Sequence, residues 1–359
     1  MKAFRRGGYY DKPRTGFHRL IMYVLLLLIG IALIVLIYLV KALFGPNVWV
    51  KDGGVAYINV HTGSNFEDLK AELYKRGLIK DHLSFEWLAR QQGLAGNVKA
   101  GRYKLRNGMS NMQLIRMLAG GHQEPVRLVF NSIRTKEQLA RVVSLQIEAD
   151  SAELVSLLSD SGFLAGFGVK PETAFVLFIP NTYELWWNTS ARAFISRMAS
   201  ESDKFWNEER GKKASQIGLS REEVVTLASI IEQETNKNDE KPRIAGVYLN
   251  RLRLGWPLQA DPTLKFALGD WSLRRILGVH KEVNSPYNTY KFPGLPPGPI
   301  CIPSIASIDA VLNYEKHNYL FFCASDDMSG YHVFSATYAQ HQENAERYRR
   351  ALNRLGIYQ

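Results

Sequence analysis

The longest apolar run covers residues 20–40, 21 residues without a charge and dominated by Leu, Ile and Val. A helix of that length rises roughly 30 Å, the hydrocarbon thickness of a bilayer. The run passes into Lys41-Ala42-Leu43-Phe44-Gly45-Pro46 without a small-residue cleavage site, which separates it from a signal peptide. A transmembrane helix is therefore expected over 20–44. The tail before it, residues 1–19, carries Lys2, Arg5, Arg6, Lys12, Arg14 and Arg19 against Asp11 alone. Such a tail should stay cytoplasmic, with everything after about residue 45 outside.

Beyond the anchor the periodic segments become short and mixed, which predicts an α+β fold. Alternation over 55–60 predicts a strand. Ser64 or Asn65 can cap a helix carrying Phe66, Leu69, Leu73 and Tyr74, and Gly77 closes it. A second helix is expected over 83–92 and a short strand over 101–105. After the turn Asn107-Gly108, a helix capped by Ser110 ends at Gly120-Gly121. This strand–helix–helix–strand–helix order defines a small module over 50–121, and a larger domain over 122–359 follows. There, residues 126–130 read as a strand, 135–158 as helical and 163–169 as a loop. The apolar segment 175–183 is broken by Pro180. Trp186 and Trp187 divide between core and surface in the plain reading, and 191–207 is a helix with Phe194, Ile195, Met198 and Phe205 on one face. Residues 126–130 and 319–324 are expected to contribute to a sheet.

The chemistry is concentrated in one helix. Ser220 caps it, Glu222 and Glu223 occupy its first turn, and Val224, Val225, Leu227, Ala228, Ile230 and Ile231 form its apolar stripe. It ends in Glu232 and Glu234. At about 100° per residue these two carboxylates fall on opposite flanks of the stripe, so periodicity does not choose between them. A carboxyl driven toward an apolar surface is held protonated more easily than one in water, as a general acid requires. Composition alone favours the plainer reading, two solvated glutamates near a fraying helix end. Against that stand four stretches read as loops rich in Pro, Gly and neutral hydrogen-bonding side chains: 247–252, 257–263, 285–290 and 294–300. Their Tyr, Asn, Gln and Asp residues suit saccharide hydroxyl and acetamido groups.

Composition removes other classes. Two cysteines, Cys301 and Cys323, are too few for a disulfide framework, and Cys323 lies in an apolar strand-like run. The eight histidines have no metal-site spacing. No phosphate loop or nucleophile elbow occurs. The formal charge of +11 comes without a basic recognition helix, so nucleic acid is not an expected partner.

Taken with Tyr331-His332-Val333-Phe334 and the segment 337–341, these motifs resemble the MltG (YceG-like) family of bacterial endolytic murein transglycosylases, over essentially the whole chain. Residues 99–121 are similar to a LysM-type glycan-binding module. The resemblance implies Glu234, in its Glu-Thr context, as the catalytic residue, with Glu232 in support. It implies cleavage of the β-1,4 bond between N-acetylmuramic acid and N-acetylglucosamine by one carboxyl group, leaving a 1,6-anhydro end and ending strand elongation. Gln259, Asp261, Tyr287, Asn288 and Tyr290 are candidates for the sugar-facing wall, with loop stabilisation the competing role for each. No metal or organic cofactor is implied. Peptidoglycan glycan strands are the expected partner, near the synthesis machinery at the inner membrane. Asn181 stands where the family usually has Asp after Pro180, which argues against a charged role there. A hydrolytic muramidase and a non-enzymatic glycan-binding scaffold remain as alternatives.

Overall fold

The computed structural model describes residues 15–273 and 276–356, so most of the basic tail lies outside the described residues. The chain divides into two compact units, one extending to Glu124 and the other starting at Pro125.

The first unit opens with helix α1 (Thr15–Phe44), long and apolar enough to cross a membrane, its side chains largely exposed along the apolar run. Strand β1 (Val55–Val60) pairs antiparallel with β2 (Gly101–Arg106), Val55 opposite Arg106 and Val60 opposite Gly101. Helices α2 (Phe66–Lys75), α3 (His82–Gln91) and α4 (Asn111–Gly120) pack on this pair around Ile58, Leu73, Phe85, Tyr103, Leu105 and Leu114. The expected element order is observed. Asn65 and Ser110 each close a capping box, satisfying helix-end N–H groups that would otherwise lack partners. A buried amide network ties the end of α1 to the module. Asn111 Nδ2 donates to Ala42 O and Ser84 Oγ, both at 3.0 Å, and Asn47 Nδ2 donates to Asn111 Oδ1 at 2.7 Å.

The second unit corrects several expectations. Its strands form two separate antiparallel pairs, not one sheet. β3 (Val126–Val129) pairs with β4 (Thr182–Leu185), and β5 (Phe321–Ala324) pairs with β6 (His332–Ser335). The helical stretch 135–158 splits into α5 (Lys136–Ser144) and α6 (Ser151–Leu157). The break follows from side-chain competition with the backbone. Gln146 bonds both the N–H and the carbonyl of Val129, and Asp150 starts a new helix by accepting from Glu153 N at 2.8 Å. Part of the presumed loop 163–169 belongs to the short helix α7 (Ser161–Ala165). Trp187 is buried in the core around β3, β4 and α8 (Ala191–Phe205), while Trp186 is exposed.

A second core surrounds α10 (Arg221–Glu234), which packs against α9 (Glu208–Ile217), α11 (Lys241–Arg253), α12 (Asp261–Leu268) and α13 (Ile305–Leu312). Ser220 caps it as expected, and Glu223 completes a capping box, with Ser220 N donating to Glu223 Oε2 at 2.8 Å. Every residue from Val224 to Ile231 is buried, polar Thr226 and Ser229 included. The Ser229 hydroxyl is satisfied: its Oγ donates to Thr226 O at 2.7 Å and accepts from Ile300 N at 3.0 Å. Helix α14 (Tyr338–Arg354) covers the β5–β6 pair.

Candidate active site

The two carboxylates at the end of α10 have opposite surroundings. Glu232 turns toward the start of α13. Its Oε2 accepts from Ser304 Oγ and Ser307 Oγ, both at 2.5 Å, from Lys241 Nζ at 3.0 Å and from Ser304 N at 3.3 Å. Burial alone would raise its pKa. The bonds from Ser304, Ser307 and Lys241 outweigh burial and hold the carboxyl below its ordinary range. The α13 N-terminus adds a favourable dipole for an anion. Glu232 is thus an ionised clamp joining α10, α11 and α13.

The Tyr248 hydroxyl donates to Glu234 Oε1 at 2.5 Å. Tyr248 comes from α11 and is itself buried. The Glu234 carboxyl opens into a cavity of about 500 Å³. It keeps partial solvent access through the cavity mouth, while protein encloses its other sides. Burial pushes its pKa up from the ordinary 4.5 to about 7, the Tyr248 bond partly opposes this, and the nearby Asp261 charge adds to it. The α10 C-terminus also disfavours a negative charge here. Helical periodicity left the pair undecided; their partners separate them.

Of the residues expected on a sugar-facing wall, Gln259, Asp261 and Tyr290 line this cavity with Glu234. The Tyr290 hydroxyl donates to Asp261 Oδ1 at 2.5 Å. Gln259 has a φ of 52°, a left-handed conformation that costs about 1 kcal/mol or more for a non-glycine residue. It is held there by Thr289, whose carbonyl accepts from Gln259 N at 3.0 Å and whose hydroxyl accepts from Ala260 N at 3.0 Å. Asn288 is a correction. It is fully buried, its Nδ2 donating to Lys281 O and Val283 O at 2.8 Å and its Oδ1 accepting from Tyr290 N at 3.0 Å, so it shapes the loop and does not face the cavity. Tyr287 is another, because it lines a different cavity.

The stretch 247–252, read as a loop, is the second half of α11. That helix brings Tyr248 and Arg251 to the Glu234 cavity from adjacent turns, together with Lys281, Phe321, Phe322, Tyr338 and His341 from elsewhere. Arg251 is buried without a carboxylate partner among the described residues. Its guanidinium donates to Leu320 O at 2.7 Å and Leu258 O at 2.6 Å, fastening the hairpin and the 257–260 loop to α11. The spacing of Ile244, Tyr248 and Arg251 at i, i+4 and i+7 would have shown this shared face if 247–252 had been read as helix. Gly246 permits the close approach of the segment before β5, since a Cβ there would meet Glu315 O at 2.4 Å. Buried Glu240 fastens the hairpin next to Glu234. It accepts from His332 N at 2.6 Å, His332 Nδ1 at 2.8 Å and Thr235 Oγ1 at 3.2 Å. Cys301 and Cys323 are both free thiols, Cys301 buried beneath α10.

The profile of the YceG-like family matches residues 58–347, which include both carboxylates and every side chain that lines their surroundings. The chain belongs to the YceG-like family. It is 29% identical over 325 residues to the endolytic murein transglycosylase of Streptococcus pneumoniae (strain D39), a match covering 81% of this chain and 57% of that protein. The endolytic murein transglycosylase of Bacillus subtilis (strain 168) is 28% identical over 311 residues, covering 81% of this chain and 84% of that protein. This YceG-like chain therefore spans just over half the length of its pneumococcal relative. A crystal structure of a yceG-like protein from Listeria monocytogenes is similar in fold, with a TM-score of 0.54 and 30% identity. It covers 80% of this chain and 98% of that one.

Proposed function

We propose that this YceG-like chain is an endolytic murein transglycosylase with Glu234 as its single catalytic acid and base. The observation that carries the reading is the Glu234 carboxyl itself, in a cavity, bonded by Tyr248 and titrating near 7. A group with that pKa is present in both forms at neutral pH, as alternating acid and base steps require. The protonated carboxyl gives its proton to the glycosidic oxygen as the C1–O bond to N-acetylmuramic acid breaks. The resulting carboxylate then takes the proton of the same sugar's C6 hydroxyl as that oxygen closes on C1. The product is a 1,6-anhydro ring, no water is consumed, and Glu234 returns to its starting state. Placing nucleophile and electrophile in one sugar replaces an enzymic nucleophile with high effective concentration.

In this reading Gln259, Asp261 and Tyr290 face the glycan, Tyr248 orients the acid, and Glu232 holds the helix end. The module over 50–121 binds glycan in the manner of a LysM domain. The anchor holds the enzyme in the inner membrane, N-terminus in the cytoplasm, where cleavage ends strands newly made by the synthesis machinery. The names of the pneumococcal and Bacillus relatives support the substrate.

Asp261 in the same cavity gives the hydrolytic alternative a physical basis, because ordinary glycosidases use two carboxylates. Mass spectrometry of products from purified strands separates the readings, since hydrolysis leaves ends heavier by one water. Glu234→Gln is expected to fold and to release no 1,6-anhydro ends. Full activity in that variant sinks the assignment.

A further inference from the structure

The unit that begins at Pro125 has a second cavity, of about 430 Å³, that the proposed chemistry leaves unused. Its apolar surface comes from Phe175, Phe266, Trp271 and Tyr287, and its charged rim from Arg134, Lys136, Glu137 and Glu172. Among the described residues none of these four charges has an ion-pair partner within 4.0 Å. The Arg134 guanidinium lies 4.4 Å from the Trp271 ring centroid, and its Nε and Nη2 donate to Gln233 Oε1 at 3.2 and 2.9 Å. A guanidinium already covers one Trp271 face, and Phe266 packs edge-on against the ring, so this is no open platform for a sugar. An uncharged acetylated glycan would also offer no charge to this rim, where Glu172 and Glu137 act on Lys136 through space without pairing with it. The site is built closely. A Cβ on Gly298 would meet Glu172 O at 2.0 Å, so the 294–300 loop reaches the wall only as glycine.

The two cavities draw lining residues from the same two segments. Helix α12 presents Asp261 to the Glu234 cavity and Phe266 to the second, and the following loop presents Tyr290 to one and Tyr287 to the other. Five to eight residues of helix, from 261 to 266 or 269, span about 8 to 12 Å. An extended peptide of roughly three or four residues covers that distance. Gln233, bonded to Arg134, is the immediate neighbour of Glu234 in the chain.

We infer that the second cavity is a subsite for a short peptide branch of the murein strand, bearing both carboxylate and ammonium groups, carried by the sugar whose bond lies at Glu234. Arg134 and Lys136 receive its carboxylates, Glu137 and Glu172 its ammonium, and the aromatic floor its aliphatic parts. The inference rests on the proposed reading, because that reading puts a muramyl residue at Glu234. The enzyme would then select strands that still carry peptides.

The test uses the full-length protein in detergent micelles with two probes. The first is a free tetrapeptide of alanine, γ-linked glutamate, diaminopimelate and alanine, titrated calorimetrically into the Glu234→Gln protein with and without the pair Lys136→Ala and Glu172→Ala. The second is the ratio of kcat/KM on peptide-bearing strands to that on strands stripped by an amidase. Binding in the Glu234→Gln protein, weakened about ten-fold by the pair, and a ratio that falls about ten-fold are expected. Because the ratio is internal to each protein, partial misfolding cannot imitate its loss. No tetrapeptide binding, or a ratio near one in the unsubstituted enzyme or unchanged by the pair, overturns the subsite. Tetrapeptide binding without any strand cleavage would instead count against the transglycosylase reading.

Discussion

Replacing Glu234 by Gln should stabilise the fold as pH rises, and the size of the gain follows from the buried acid. In the unfolded chain this carboxyl ionises near 4.5, whereas in the folded protein burial moves it to about 7. Below 4.5 both states are protonated, and the group contributes no pH-dependent term. Between 4.5 and 7 the unfolded state releases a proton that the folded state keeps, so stability falls through that window. Above 7 both states are ionised and the penalty stays constant. A shift of this size corresponds to on the order of 3 kcal/mol. Glutamine has nearly the same shape, keeps an acceptor oxygen for Tyr248, and does not ionise. The melting temperatures of wild type and Glu234→Gln, followed by near-UV circular dichroism on the full chain in micelles, should therefore be similar near pH 4.5. The variant should gain about 6 to 12 °C by pH 8, at the few degrees per kcal/mol expected for a unit of this size. A gap that is flat with pH, or that narrows as pH rises, would refute a buried and preferentially protonated Glu234. The same cavity that makes the acid useful would then be costing stability, the usual trade at an active site.

Three further variants test the neighbours. Tyr248→Phe removes a hydrogen bond that favours the carboxylate, so the descending limb of kcat/KM against pH should move up by about one to two units, the worth of a bond to a charged acceptor; an unmoved limb means that Tyr248 does not act on Glu234. Asp261→Asn removes a charge that raises the Glu234 pKa, so the limb should move down while products keep their 1,6-anhydro ends; loss of all cleavage would favour the two-carboxylate mechanism. Glu232→Gln leaves the buried Lys241 ammonium without its counter-charge and should cost about 3 to 5 kcal/mol near neutrality. Its pH dependence is opposite to that of Glu234. The stabilisation by ionised Glu232 is present above about 4.5 and is lost as pH falls through the lowered folded value, so chemical denaturation should show the two proteins converging in acid.

What the sequence made legible was local. Caps at Asn65, Ser110 and Ser220 sit next to the N–H groups they bond, and the stripe from Val224 to Ile231 repeats at helical period. Errors arose where a distant contact overrode the local pattern. The helix expected over 135–158 was interrupted because Gln146 found β3, and the single sheet became two pairs because β4 and β6 capture strands that looked available to each other. Gly and Pro around 257–300 drew attention to loops, and with them to Asn288, whose hydrogen bonds are all spent on its own turn.

The choice between Glu232 and Glu234 shows why the site was only half legible. Both lie two residues apart on the same helix end, with equal angular claims on a pocket. What distinguishes them is Ser304 and Ser307, more than 70 positions downstream, and the Tyr248 hydroxyl one helix later. No periodicity in α10 encodes which carboxyl will meet three donors and a cation and which will meet one phenol inside a cavity. That assignment is made by the crossing of α10 with α11 and α13. A carboxylate given enough donors ionises and becomes architecture, and one given too few keeps its proton and becomes available for chemistry. The catalytic role proposed for Glu234 is in this sense the product of incomplete satisfaction, sustained because Glu232, two positions earlier, is satisfied completely enough to hold the helix end in place.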